Sequence, residues 1–153
     1  MIIPKLILII IIMTYLEFAL RLFTGLGAGM IIGFERQWQH QHRSAGLRTN
    51  TLVATGAALF VLLSVNLTQN NGDVTRIIGQ VVTGIGFLGA GIIFKEGNNI
   101  IGLSTAVTVW CSAAVGSLAG AGYYVETLIG VVAVLTVNTI LMPVDKWLSK
   151  RKN

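Results

Sequence analysis

Apolar positions in this chain come in five long runs, Phe18 to Phe34, Thr51 to Leu67, Ile77 to Phe94, Ile101 to Ala121 and Tyr124 to Met142, separated by short polar connections. Each run approaches or reaches the roughly 20 residues that a helix needs to cross about 30 Å of hydrocarbon. Backbone groups in lipid must find partners inside the protein, which helices provide; the alternating ten-residue segments of a β-barrel are absent. The pattern predicts an all-α polytopic bundle of about five transmembrane helices.

The front of the chain is too long for that scheme. Taken as one helix, Ile2 to Phe34 would run about 50 Å at roughly 1.5 Å per residue. Glu17 and Arg21 stand four residues apart, so they share a helix face and can pair without breaking the helix. We expect one long first helix, with residues 1–17 as an apolar extension that reaches past the membrane or lies along it; a separate short span is the alternative. Residues 18–143 then form the membrane domain and 144–153 a basic cytoplasmic tail. Lys5 before the stretch Leu6 to Met13 imitates a secretory leader, but no small-x-small cleavage site follows, so the segment is expected to be retained. The tail ends after one polar turn, which predicts no soluble C-terminal domain.

Composition sharpens this picture. Of 153 residues 54% are hydrophobic and 11% charged, against roughly 25% charged in soluble domains, so the lipid bilayer is the main solvent. The net charge of +5 is spread between apolar runs rather than gathered on a polar module, which argues against a nucleic-acid partner. It reports orientation instead. With five spans, eight of the eleven basic residues fall on one side, among them Arg36, Arg43, Arg48, Lys95 and the tail's Lys146, Lys150, Arg151 and Lys152. That side, with the C-terminus, is expected to be cytoplasmic. Trp38 and Trp147 lie near the cytoplasmic ends and Tyr123 and Tyr124 near the outer end, where amphipathic rings favour headgroups. Cys111, the single cysteine, reads as ordinary packing.

Two stretches echo each other. Leu26-Gly27-Ala28-Gly29-Met30-Ile31-Ile32 with Glu35 resembles Leu88-Gly89-Ala90-Gly91-Ile92-Ile93 with Glu96, and Gly46-Leu47-Arg48-Thr49 resembles Gly102-Leu103-Ser104-Thr105. The first two spans and the next two therefore read as one helical hairpin used twice, a parallel repeat about an axis along the membrane normal.

Within these runs Gly84-Ile85-Gly86-Phe87-Leu88-Gly89 fits the dinucleotide fingerprint, but it sits mid-span with no carboxylate about 20 residues on. Glycines serve packing better here. Gly25, Gly29 and Gly33, then Gly84, Gly86, Gly89 and Gly91 with Ala90, then Gly116 and Gly120 let backbones approach closely. They act either within one chain, which we prefer, or in a homodimer.

Charge at membrane depth costs a few kcal/mol unless paired. Glu35 or Glu96 with Arg36 or Arg48 is therefore a candidate polar network at the cytoplasmic mouth, with interfacial anchoring as the competing reading. Thr49, Asn50, Ser104 and Thr105 are network candidates or helix caps. Arg76, Gln80 and Thr83 carry a charge and polar groups into the third span from the outer side, and Asn138, midway along the fifth, is expected to make a structural hydrogen bond. His40 and His42 lack partners at metal-ligand spacing and read as solvated loop residues. No nucleophile, base and orienter can be assembled, so neither catalysis, a metal nor a cofactor is expected.

The blocks Ile32-Gly33-Phe34-Glu35-Arg36-Gln37, Ala45-Gly46-Leu47-Arg48-Thr49-Asn50-Thr51-Leu52-Val53-Ala54, Arg76 with Gln80 through Gly91, and Gly102-Leu103-Ser104-Thr105-Ala106 with Trp110 resemble, in order, the signature blocks of MgtC/SapB proteins. The resemblance covers about Phe18 to Gly122. It implies a bacterial inner-membrane protein linked to growth at low magnesium and, in some pathogens, to survival within macrophages. It implies action by modulating other membrane machines, the ATP synthase or a transporter among them, rather than by moving magnesium. Best-known members carry an additional soluble C-terminal domain. The residues alone leave two readings open: a non-enzymatic regulator working through helix contacts, and a small ion transporter or channel with Glu35, Arg36, Arg48, Arg76 and Gln80 lining a path between the hairpins.

Overall fold

A computed structural model describes residues 3–39, 45–67, 74–97 and 99–150, without the side chains of residues 3–13, Asp145, Lys146, Ser149 and Lys150. His40, His42, Arg43, Arg151, Lys152 and the tip of the second connection lie outside it, as do the expectations attached to them. The order is α1 (Ile3–Gln39), α2 (Leu47–Leu67), α3 (Val74–Ile92), β1 (Phe94–Glu96), β2 (Asn99–Ile101), α4 (Leu103–Gly120) and α5 (Tyr124–Lys150). All five helices are long and apolar enough to span a membrane. The protein is a multi-pass membrane helix bundle.

The first helix is continuous over 37 residues, about 55 Å at 1.5 Å per residue. Its Arg21 pairs with Glu17, and the guanidinium lies against Gly122, where an added Cβ would come within 3.1 Å of Arg21 Cζ. This ties the upper part of α1 to the turn joining α4 and α5. The fifth helix continues two turns beyond Met142 and contains Pro143, whose missing N–H leaves the Thr139 carbonyl without its helical donor.

Two local outcomes differ from the sequence expectation. The third span stops at Ile92, and the connection to α4 is a small antiparallel hairpin pairing Phe94 with Ile101 and Glu96 with Asn99. Its turn uses Gly97 and its exit Gly102, both at positive φ. Gly102 is also the α4 N-cap, with no side-chain cap bond, so the capping role considered for Ser104 and Thr105 does not occur: α4 begins at Leu103, one residue before Ser104.

The centre of the bundle is α2 gripped between α1 and α4. A Cβ on Gly25 would lie 2.9 Å from Ala58 Cβ, one on Gly29 2.7 Å from Ala54 Cβ, and one on Gly33 2.8 Å from Leu47 Cα. From the other side, Gly116 and Gly120 of α4 bring backbone to within 2.1 Å and 2.6 Å of where their missing Cβ atoms would meet the Ala54 and Ala58 carbonyls. Ala54 and Ala58 are accordingly fully buried. Lipid tails are as apolar as leucine, so the gain here is van der Waals contact between closely approached backbones rather than hydrophobic burial. Hydroxyls inside the spans bond the carbonyl one turn back, as Thr24, Thr55 and Thr136 do to Leu20, Thr51 and Val132 at 2.7 Å, which satisfies them without water.

Helix α3 is held differently. Gly89 is its one buried residue, and its Cβ position meets Ala106 at an ordinary 3.7 Å. Among the described residues nothing lies within 4 Å of where a Cβ would stand on Gly84, Gly86 or Gly91, the glycines read from sequence as packing ones. In this chain they face open space, so they do not join α3 to the bundle.

Candidate functional site

Near the α1 C-terminus a polar cluster joins four helices. α1 delivers Glu35 and Arg36 on adjacent sides of one turn. Asn138 of α5 donates its amide to Glu35 Oε2 at 3.1 Å. Arg36, only 3% exposed, donates from Nη2 to Thr105 Oγ1 of α4 at 2.9 Å. One turn deeper on α4, the Thr108 hydroxyl bonds the Ser104 carbonyl at 2.9 Å and has Asn138 Oδ1 3.4 Å away. Ser112 Oγ then donates to Asn50 Oδ1 of α2 at 2.8 Å. The Asn50 amide turns back to the carbonyls of Ala45 and Gly46 at 2.8 and 2.9 Å, fixing the entry of the chain into α2.

Each link is a hydrogen bond between groups that would be costly to leave bare in hydrocarbon. Together they set the rotation of α1, α2, α4 and α5 about their axes, a register that close-packed glycines alone leave free to slip. The cluster is not fully closed. Glu35 Oε1, Arg36 Nε and Gln39 Oε1 are buried with no hydrogen-bond partner among the described residues, so the α1 end keeps spare acceptor and donor capacity within about one turn.

The sequence candidates divide. Glu35, Arg36, Asn50 and Thr105 enter the cluster, and Asn138 makes the structural bond expected of it. Arg48 and Thr49 are exposed at the start of α2, Glu96 is exposed on β1, and on α3 Arg76 and Gln80 are exposed in the half farther from Glu35 and Thr83 is exposed midway along the helix. Thr83 bonds the Gly79 carbonyl at 2.9 Å. Sequence reasoning missed Thr108 and Ser112. Their signal was present: Thr105, Thr108 and Ser112 fall at i, i+3 and i+7, a polar stripe down one face of an otherwise apolar helix. Gln37 was missed too; its Oε1 accepts the Leu47 N–H at 3.1 Å and caps α2 from α1. Among the described residues no group of three or more His, Cys, Asp or Glu side chains is placed to hold a metal ion.

Five spanning helices, glycine-mediated packing and a buried polar lock define a polytopic membrane helix bundle. Residues 22–147 match the MgtC family, and the chain belongs to it. Relatives include Protein MgtC of Brucella abortus, 57% identical over 115 residues (75% of this chain, 47% of the relative), and Protein MgtC of Salmonella typhimurium, 47% identical over 129 residues (84% and 54%). An uncharacterised protein of Synechocystis sp. is 50% identical over 137 residues (90% and 57%). The chain thus spans about half the length of these relatives. No solved structure matches it significantly.

Proposed function

We propose that the protein is a non-enzymatic regulator of other membrane proteins, acting through helix contacts in the bacterial inner membrane with its C-terminus cytoplasmic, in the service of magnesium homeostasis or growth at low magnesium. The observation that carries the reading is on α3. Gly79, Thr83, Gly86 and Ala90 are all exposed, and their spacing of four, three and four puts them on one narrow helix face. Among the described residues nothing lies within 4 Å of where a Cβ would stand on Gly79 or Gly86. Small residues at this spacing are what a second transmembrane helix needs to approach closely. The same feature inside the bundle holds α2; on α3 it points away from the chain. The occupant is another membrane protein, an ATP synthase subunit or a transporter, with a second copy of this chain as the variant reading.

The rival, a small ion transporter or channel, has one observation in its favour: Glu35 Oε1 is buried without a donor among the described residues. It is the weaker reading because Arg36 stands beside that carboxylate and because Arg76 and Gln80 lie in the half of α3 farther from Glu35. Reconstituted vesicles separate the two. The regulatory reading expects no magnesium- or potassium-dependent flux from purified protein, together with a co-purifying membrane protein lost in Gly86→Leu. Flux abolished by Glu35→Gln would favour transport and end the regulatory-only account.

A further inference from the structure

We propose that the groove between α2 and α3, together with Arg76, binds one anionic glycerophospholipid, its phosphate on the guanidinium and an acyl chain between the helices. The groove encloses about 640 Å³ and is walled by Leu52 and Phe60 on α2 and by Ile77, Gly84 and Leu88 on α3, with Gln80 its single polar lining residue. Missing side chains keep it open: a Cβ on Gly56 or Gly84, which face it from opposite walls, would meet nothing within 4 Å.

Its length matches one leaflet. Ile77 to Leu88 spans about 17 Å at 1.5 Å per residue, close to half of the roughly 30 Å hydrocarbon thickness. Its depth matches as well. Ile78 and Val82, on the next face of the same turns, line a second cavity with Tyr123, an exposed ring of the kind that marks the headgroup level. The first turn of α3 therefore lies at the interface. Arg76 precedes Ile77 directly, stands one turn before Gln80 on the groove's rim, and is exposed. No described residue forms an ion pair with it; the ion pair seen is Arg21 with Glu17. A fixed cation at headgroup depth over an apolar slot one leaflet long suits a lipid with net negative charge, and the adjacent N-terminus of α3 adds to the attraction.

Native mass spectrometry of the purified protein, offered equal amounts of phosphatidylglycerol and phosphatidylcholine with the same acyl chains, tests this. One bound phosphatidylglycerol is expected, preferred about fivefold, roughly the contribution of one basic residue at an anionic surface. Arg76→Gln should bring the ratio to unity with lipid still bound, and Gly56→Leu with Gly84→Leu should expel lipid altogether. Should that double variant misfold, a bulky maleimide attached to Gly84→Cys after purification, on a Cys111→Ser background, fills the groove instead. A preference that survives Arg76→Gln, lipid retained in a filled groove, or a co-purified protein chain released by filling it would each overturn the proposal.

Discussion

The two helical hairpins of this bundle use similar sequence to different ends. In the first, Gly29 of α1 seats against Ala54 of α2, 2.7 Å from its Cβ position. At the offset of 56 residues that relates Gly46 to Gly102 the counterpart of Ala54 is Trp110; at the offset of 62 that relates Leu26 to Leu88 the counterpart of Gly29 is Gly91, which meets nothing within 4 Å among the described residues. Trp110, an indole where the first hairpin has a methyl group, lines a cavity of about 310 Å³ between α3 and α4. The turns keep the likeness better than the faces do. Gly46 and Gly102, 56 apart, each accept through the carbonyl the first i to i−4 backbone bond of the following helix, from the Asn50 N–H at 3.2 Å and the Ala106 N–H at 2.8 Å. Similar glycine-rich sequence thus marks close contact in α1 and an open face in α3.

Substitutions on the two sides of this divide should differ most at the buried arginine. Arg36→Ala removes the bond to Thr105 and leaves Glu35 without its neighbouring cation; a loss of about 3–5 kcal/mol is expected, read from thermal unfolding in detergent. Arg76→Ala on exposed α3 should cost under about 0.5 kcal/mol in the same assay. Equal losses would erase the distinction between the locked bundle and α3.

Next in size is the pair of repeat-related glycines. Gly102 has φ 92°, and its Cβ would lie 2.2 Å from the Ile92 carbonyl oxygen, so Gly102→Ala should cost about 1–2 kcal/mol from the left-handed backbone and more from the clash. Gly46→Ala should cost less, since the atom it meets is the movable end of Gln37, at 2.4 Å. Reversal of that order in equilibrium unfolding would contradict the assigned roles.

A smaller effect concerns the α1–α5 contact. A double-mutant cycle of Glu35→Ala with Asn138→Ala should show a coupling of about 1 kcal/mol, the usual scale for an interhelical bond in a membrane protein. A coupling of zero would remove Asn138 from the cluster. Smallest in stability is Trp110→Ala, at 45% exposure: it should let α3 settle inward, shortening the distance between spin labels at Val82→Cys and Leu118→Cys on a Cys111→Ser background. An unchanged distance would mean that Trp110 is not what keeps α3 apart.

The spans were legible in the sequence because hydrocarbon demands uninterrupted apolar runs, and the long α1 was legible because the Glu17 and Arg21 spacing allows a helix to pass through. Glu35, Arg36 and Asn138 stood out as polar groups at depth. Their partners did not: that Arg36 meets Thr105 and Glu35 meets Asn138 depends on helix rotation, which no local pattern encodes. The glycines of α1 and α3 carry the same local signal, and which set is packed depends on how the helices are spaced and turned in the bundle, which no local pattern encodes. The hairpin from Phe94 to Ile101 was hidden because two three-residue strands flanked by apolar residues look like the end of a span.

The central claim is that one residue type performs two tasks, closing the bundle on α1 and α4 and staying open on α3. Thermal unfolding of Gly116→Leu and Gly86→Leu, side by side in one detergent, tests it most directly. The account predicts that Gly116→Leu, whose Cβ would sit 2.1 Å from the Ala54 carbonyl oxygen, loses the cooperative transition while Gly86→Leu unfolds with the wild type. Comparable losses in both, or a stable Gly116→Leu, would contradict it.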